Sequence, residues 1–297
     1  MICTVNWLVD PVDWWITPFT DNPFLRDALW AALLSVCCTS VIGTWVVLRG
    51  LSFLGDALAH GVLPGIAIAF VMGGNTTVGA LVAALAMVVG VQVIRAASPL
   101  PDDASIGVLF VGFLALAVVV MSAQEGGGAG DLTRFLFGSI NAVDNGDLRT
   151  LVIVTAITLV GVVVLHRALL VGTFDTTQAR LIGFRPQLTH FALLVLLALA
   201  IVASFETVGS LLVFAFLVAP PATASLLVKR VPLVMCVAVA IGSVCAVVGL
   251  LISYHHDTAT GATMALVTVI VFLVVLVAQQ LARGIGRRSL RLTSSHG

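Results

Sequence analysis

The sequence predicts an all-α fold, a polytopic bundle of about nine membrane-spanning helices. Of its 297 residues, 60% are hydrophobic and only 9% are charged, whereas soluble domains carry roughly 25% charged residues. Mean hydropathy is +1.16. A soluble chain this apolar has too little polar surface to cover itself, so the bilayer is its natural solvent. The apolar residues also come in long runs that do not alternate, which favours spanning helices over a β-barrel.

A spanning helix needs about 20 mainly apolar residues. Runs of that kind lie at 28–48, 53–72, 77–96, 104–122, 150–168, 188–204, 209–228, 234–252 and 262–281. The stretch 123–149 has room for a further partial span, so eight to ten spans fit the pattern. Most runs are rich in Ala, Gly, Ser, Thr and Val. Small residues let helix backbones approach closely in lipid, where apolar burial does not drive association. The whole chain, 1–297, reads as one transmembrane domain. Residues 1–27 form an extracytoplasmic or interfacial segment and 282–297 a cytoplasmic tail.

Lys and Arg set the orientation. Arg283, Arg287, Arg288 and Arg291 place the C-terminus in the cytoplasm. Lys229 with Arg230, Arg167 with Arg180 and Arg185, Arg95, and Arg49 mark further inside loops. The opposite loops are poor in basic residues and hold Glu206 or His255, His256 and Asp257. The N-terminal segment has Asp10, Asp13, Asp21 and Asp27 against Arg26 alone. That is the reverse of a signal peptide's basic n-region. Nine spans with the N-terminus outside and the C-terminus inside satisfy every loop. Trp7, Trp14 and Trp15 suit the headgroup zone.

Other features exclude chemistry. Net charge is zero, which argues against a nucleic-acid partner. Cys3, Cys37, Cys38, Cys236 and Cys245 form no CxxC pair. Four of them sit in apolar runs as small hydrophobes, with no disulfide framework. No GxxxxGK[ST] loop is present, so any ATP-driven mechanism takes its ATPase from another chain. Nothing resembles HExxH, a nucleophile elbow or a catalytic dyad, so the chain itself is expected not to be an enzyme. Glu125–Asp131 is a flexible outside linker by composition.

The stretch from Arg49 to Gly65 carries the chemistry. It sets Asp56 and His60 inside an apolar span, where an ionised carboxylate costs roughly 3 kcal/mol or more. Four residues apart, they share one helix face. They can present a carboxylate oxygen and an imidazole nitrogen to one ion, or simply bond to each other as a structural pair. Pro64 lacks an N–H, so the carbonyl of His60 loses its helical partner. Gly55, Gly61 and Gly65 permit close approach of a second helix. Oxygen plus imidazole suits Mn²⁺, Zn²⁺ or Fe²⁺ and not Cu(I). One chain offers too few ligands for a closed site, whereas two copies about a two-fold axis supply two Asp and two His.

The segment LRGLSFLGDALAHGVLPGIAIAF resembles the signature of the manganese/zinc/iron permease family of ABC importers, roughly LRG-S-LGDAISHAVLPGVA. Arg49, Gly50, Ser52, Gly55, Asp56, Ala57, His60, Leu63, Pro64 and Gly65 match it. Further matches follow in order. Phe137-Gly138 with Ile140 is similar to the family's LFG-ILAV. Phe174-Asp175 with Ala179 and Gly183 is similar to its FD-A-A-G loop. Val208-Gly209, Leu211-Leu212, Ala219-Pro220 and Ala222-Thr223-Ala224 are similar to VGTLLV-ALL-PAATA. The departures are Pro221 for Ala, Glu206 for an uncharged residue, and Thr176 and Thr177 for acidic ones.

The resemblance implies the permease subunit of a type II-like importer in a bacterial inner membrane. It implies a homodimer, driven by two copies of a separate ATP-binding cassette subunit and fed by an extracytoplasmic metal-binding protein. Asp56 and His60 become the metal pair. Residues 174–186, with Phe174, Asp175, Ala179, Arg180 and Gly183, become the segment that docks into the ATPase, Gly183 ending its short helix. The transported Mn, Zn or Fe ion is cargo, and no permanent cofactor is implied. His255, His256 and Asp257 are possible outer-mouth contacts, or an ordinary polar turn. The rivals are a permease for a metal chelate such as cobalamin or a siderophore, and an ion-driven secondary carrier.

Overall fold

A computed structural model describes residues 14–15, 17–97, 102–123 and 144–293. The described residues are mostly helical, with no strand among them. Glu125–Asp131, Phe137, Gly138, Ile140 and Trp7 lie outside them.

In chain order the helices are α1 Thr17–Asp21, α2 Pro23–Leu48, α3 Ser52–Gly61, α4 Leu63–Val71, α5 Thr76–Ala97 and α6 Asp102–Ser122. Then come α7 Asn145–Phe174, α8 Thr176–Leu181, α9 Pro186–Val208, α10 Ser210–Leu227, α11 Val231–His256 and α12 Thr260–Thr293. With α3 and α4 counted as one span, nine helical segments among the described residues are long and apolar enough to cross a membrane. All nine sequence-derived runs are there. Several helices start earlier than hydropathy alone indicates, because proline opens them. Pro23, Pro186 and Pro232 occupy the first or second helical position of α2, α9 and α11, where a missing N–H costs nothing.

The bundle is layered. The apolar windows of α2, α3–α4 and α9 are 72%, 67% and 72% buried, while those of α6, α7 and α12 are only 22% buried. The first three therefore form the centre, around the fully buried side chains of Trp45, Ile42, Phe205 and Leu193. The outer helices show Val, Ile and Leu, among them Val111, Val163, Val164 and Val274, as a lipid-facing surface does.

The tightest central contact joins α2 to α10. Pro220 and Pro221 stand inside α10, and neither can donate a backbone N–H. The carbonyls of Phe216 and Leu217, four residues earlier, are thereby freed. The buried hydroxyl of Ser40 donates to the Phe216 carbonyl at 3.2 Å. The Leu217 carbonyl faces Gly43, where any Cβ would overlap it. The departure at Pro221 thus leaves α10 continuous. Its freed carbonyls meet a hydroxyl and a glycine instead of lipid, as bilayer burial demands. Replacing Ser40 with Ala should cost about 1–3 kcal/mol by orphaning a buried carbonyl. Gly43→Val should cost a similar amount, about 1–3 kcal/mol, by overpacking. Each should read as a lower thermal unfolding midpoint of the purified protein; an unchanged midpoint in both would contradict this packing.

Candidate functional site

The span carrying Asp56 and His60 is broken at Val62, between α3 and α4. Pro64 sits in the first turn of α4. The His60 carbonyl is not wholly freed, as the sequence suggested: the Val62 N–H turns back onto it. Small residues bring three neighbours against this broken span. Gly55 lies under the Leu217 side chain of α10, Gly61 under the Met87 sulfur of α5, and Gly65 against the Gly79 backbone of α5. Leu54, Gly55, Ala57, Leu58, Ala59 and Gly61 are all buried. Phe53, Asp56 and His60 are left on the open face, at the spacing of one helical stripe.

On that face His60 Nε2 lies 3.6 Å from Asp56 Oδ1, with side chains 25% and 31% exposed respectively. This separation is too long for a hydrogen bond. The His60 ring also meets the edge of Phe110 on α6, centroids 5.8 Å apart, and Phe110 in turn meets Phe53. The two polar groups are thus positioned but not locked onto each other. Among the described residues, no three His, Cys, Asp or Glu side chains converge as a metal cluster. Among the described residues, one chain therefore brings this pair and no third side-chain donor of those types.

The segment after α7 folds as its residues require. Phe174 is the last residue of α7. Asp175 caps α8, its Oδ1 accepting from the backbone N–H of Thr177 at 2.8 Å and of Gln178 at 2.9 Å, a standard N-terminal cap. The other end closes at Gly183, with φ of +90°. The Gly183 N–H reaches the Arg180 carbonyl and the Phe184 N–H the Ala179 carbonyl, the paired bonds of a Schellman stop. Ala179 is fully buried, while Phe174, Leu181 and Ile182 are 71%, 82% and 63% exposed. A short, doubly capped helix thus exposes Leu181 beside Thr177, Gln178 and Arg180, with Phe174 and Ile182 exposed at its two ends.

His255 and His256 are not in a turn: they end α11, and Asp257 follows as its left-handed cap, φ +51°. The helix runs on because its last turn is still satisfied within itself. His255 Nδ1 lies 2.9 Å from the Leu251 carbonyl, and its ring stacks on Trp14 at 4.7 Å. His256 and Asp257 are exposed.

Two clusters escaped sequence reasoning. Glu206 on α9 accepts two contacts from the Thr77 hydroxyl, 2.8 and 2.9 Å, and a longer one from Thr76 at the start of α5. Arg49 and Arg95, which mark inside loops in the sequence, converge on His190: Arg49 Nη1 is 3.3 Å from His190 Nδ1, and Arg95 Nη1 is 2.6 Å from Nε2. Their separation along the chain hid the meeting; only their shared end of the bundle hinted at it.

Comparison with known proteins bears on this arrangement. The model of the ABC 3 transport family matches residues 21–279. A manganese transport system membrane protein, MntC, of Halalkalibacterium halodurans is 36% identical over 249 residues, covering 84% of this chain and 85% of that protein. A probable iron transport system membrane protein of Haemophilus influenzae is 32% identical over 271 residues, covering 91% and 96%. The solved structure of PsaBC from Streptococcus pneumoniae in complex with Fab superposes with a TM-score of 0.79 at 31% identity, covering 88% of this chain and 94% of that one. The chain is therefore a multi-pass member of the ABC 3 transport family, the permease family whose signature its Asp56–His60 segment resembles.

Proposed function

We propose that the chain is the permease subunit of an ATP-driven importer for a divalent transition-metal ion, working as a homodimer. The observation that carries this reading is the Asp56–His60 pair on the open face of a broken span. An ionisable pair facing hydrocarbon is costly. With side chains 31% and 25% exposed, it calls for a covering protein surface or a hydrated path. A second copy across a two-fold axis supplies both, and doubles the donors to two carboxylates and two imidazoles. Donors about 2.1 Å from one ion sit roughly 3.0–3.4 Å apart. The 3.6 Å gap lies within a small side-chain adjustment of that.

The donor set suits Mn²⁺, Zn²⁺ and Fe²⁺. The relatives are named for manganese and for iron transport, which makes manganese the first cargo to test. The basic loops support a C-terminus in the cytoplasm and an N-terminus outside. In that orientation α8 faces the cytoplasm. Its exposed Leu181 and the Ile182 that follows it are the docking face for a separate ATPase subunit, one per permease copy. An extracytoplasmic binding protein delivers the ion at the opposite end, where His256 and Asp257 are exposed.

Uptake tests the metal pair. In cells lacking their native permease, Asp56→Ala and His60→Ala should each cut metal uptake about tenfold or more, with expression and ATPase assembly retained. Uptake at the wild-type rate in both variants would make the pair structural. A second measurement tests docking. Leu181→Asp should weaken co-purification of the ATPase about tenfold while the permease still reaches the membrane. Full ATPase recovery with that variant would place the docking face elsewhere.

A further inference from the structure

The stripe that carries Asp56 and His60 has an aromatic wall. Phe110 on α6 meets the His60 ring at 5.8 Å and the Phe53 ring at 6.1 Å, both edge to face. Phe53 and His60 stand seven residues apart on α3, a rise of roughly 10.5 Å, and helical side chains lean the same way along the axis. The two ring separations only just cover that rise, so the Phe110 ring sits midway, at the height of Asp56. Its place is fixed from behind. Leu109 packs onto Gly90 of α5, 3.2 Å from where a Cβ would stand. Ile106, one turn earlier, is buried, and Phe110 itself packs against the core.

His60 depends on this wall. Among the described residues, the polar and aromatic contacts of its ring are Asp56 Oδ1, 3.6 Å away and too far for a hydrogen bond, and the edge of Phe110. A metal-binding histidine usually gives its other ring N–H to a polar group; here a phenyl ring stands in that place. Such a wall bears on which cation is taken. Two carboxylates and two imidazoles, the set that a pair of copies presents, hold transition-metal ions, but carboxylates and water also suit Mg²⁺. Donors alone therefore discriminate incompletely. Mg²⁺ demands near-octahedral geometry, loses water reluctantly and usually keeps several waters when bound. A phenyl ring beside Asp56 takes the place of such waters and offers them no hydrogen bond. An ion that accepts imidazole in exchange for water is compensated; Mg²⁺ is left with the cost of dehydration. We propose that Phe110, braced by Phe53, is a specificity-determining residue: it keeps water off one side of the metal pair and so rejects Mg²⁺ in favour of transition-metal ions. The inference rests on the reading of Asp56 and His60 as the metal pair.

The full-length permease is purified, and bound Mn²⁺ is displaced with Mg²⁺ in wild type, His60→Ala, Phe110→Ser, Phe110→Leu and Phe53→Ser. His60→Ala tests the underlying reading by itself. Mn²⁺ binding equal to wild type in that variant means that the pair does not hold the ion, and the proposal falls with it. With that binding lost, the phenylalanine variants decide. Phe110→Ser makes room for water, and the Mg²⁺ concentration that displaces half the Mn²⁺ should fall about tenfold relative to wild type. Phe53→Ser, at a position 43% exposed, disturbs packing less and carries the test if Phe110→Ser does not assemble; it should lower that concentration about threefold. Phe110→Leu keeps the wall apolar and should keep Mg²⁺ excluded, which separates a dry wall from an aromatic contact as such. An unchanged Mg²⁺ concentration in the serine variants, or Mn²⁺ and Mg²⁺ binding that weaken together so that their ratio holds, overturns the proposal. So does a Phe110→Leu variant that admits Mg²⁺ as readily as Phe110→Ser.

Discussion

A bilayer offers no hydrogen bonds to a stray polar group, and the placement of the polar groups in this bundle follows from that. Asp56 and His60 share one open stripe because their span is wedged in place on its other sides. Gly55 and Gly61 take the side chains of Leu217 on α10 and Met87 on α5, and Gly65 meets the α5 backbone at Gly79. That leaves one stripe for the two ionisable groups. Larger residues at the three glycines would separate the helices and let the stripe rotate. The position of the pair is thus set by what surrounds it, more than by contact between its own members, which stand 3.6 Å apart.

Much of this was legible in the sequence. Span number followed from runs of apolar residues, and Asp56 and His60 stood out because charge inside such a run is expensive. Gly183 announced the end of α8, since a local turn is written in local residues. What escaped was non-local. Arg49 and Arg95 looked like ordinary inside-loop markers, yet His190 joins them across 141 and 95 residues. Ser40 looked like one more small residue, yet it answers a carbonyl freed by Pro220. No periodicity encodes which distant hydroxyl meets which carbonyl. Helix ends were missed for a simpler reason: hydropathy counts proline as a break, whereas at a first turn it is a start.

The same contacts tie the two proposed working regions together. Arg49 closes α2 and stands three residues before α3 begins. It also grips Thr173 and Leu169 in the last turns of α7, next to the capped helix α8. The segment proposed to meet the ATPase and the helix proposed to hold the metal are therefore linked through one side chain. That linkage is short, polar and set in a half-buried site, so displacement of α8 is not absorbed by a long loop.

Leu217 occupies an unusual crossroads. Its side chain lies over Gly55, one residue from Asp56, and its carbonyl faces Gly43 on α2. It also sits one helical turn before Pro221, where the backbone ladder of α10 has lost two donors. A rod with rungs missing flexes most easily at the gap. Flexure there moves Leu217 like the short arm of a lever, directly beneath the residues that hold Asp56. The compliance of α10 and the placement of the Asp56–His60 pair are then one mechanical quantity.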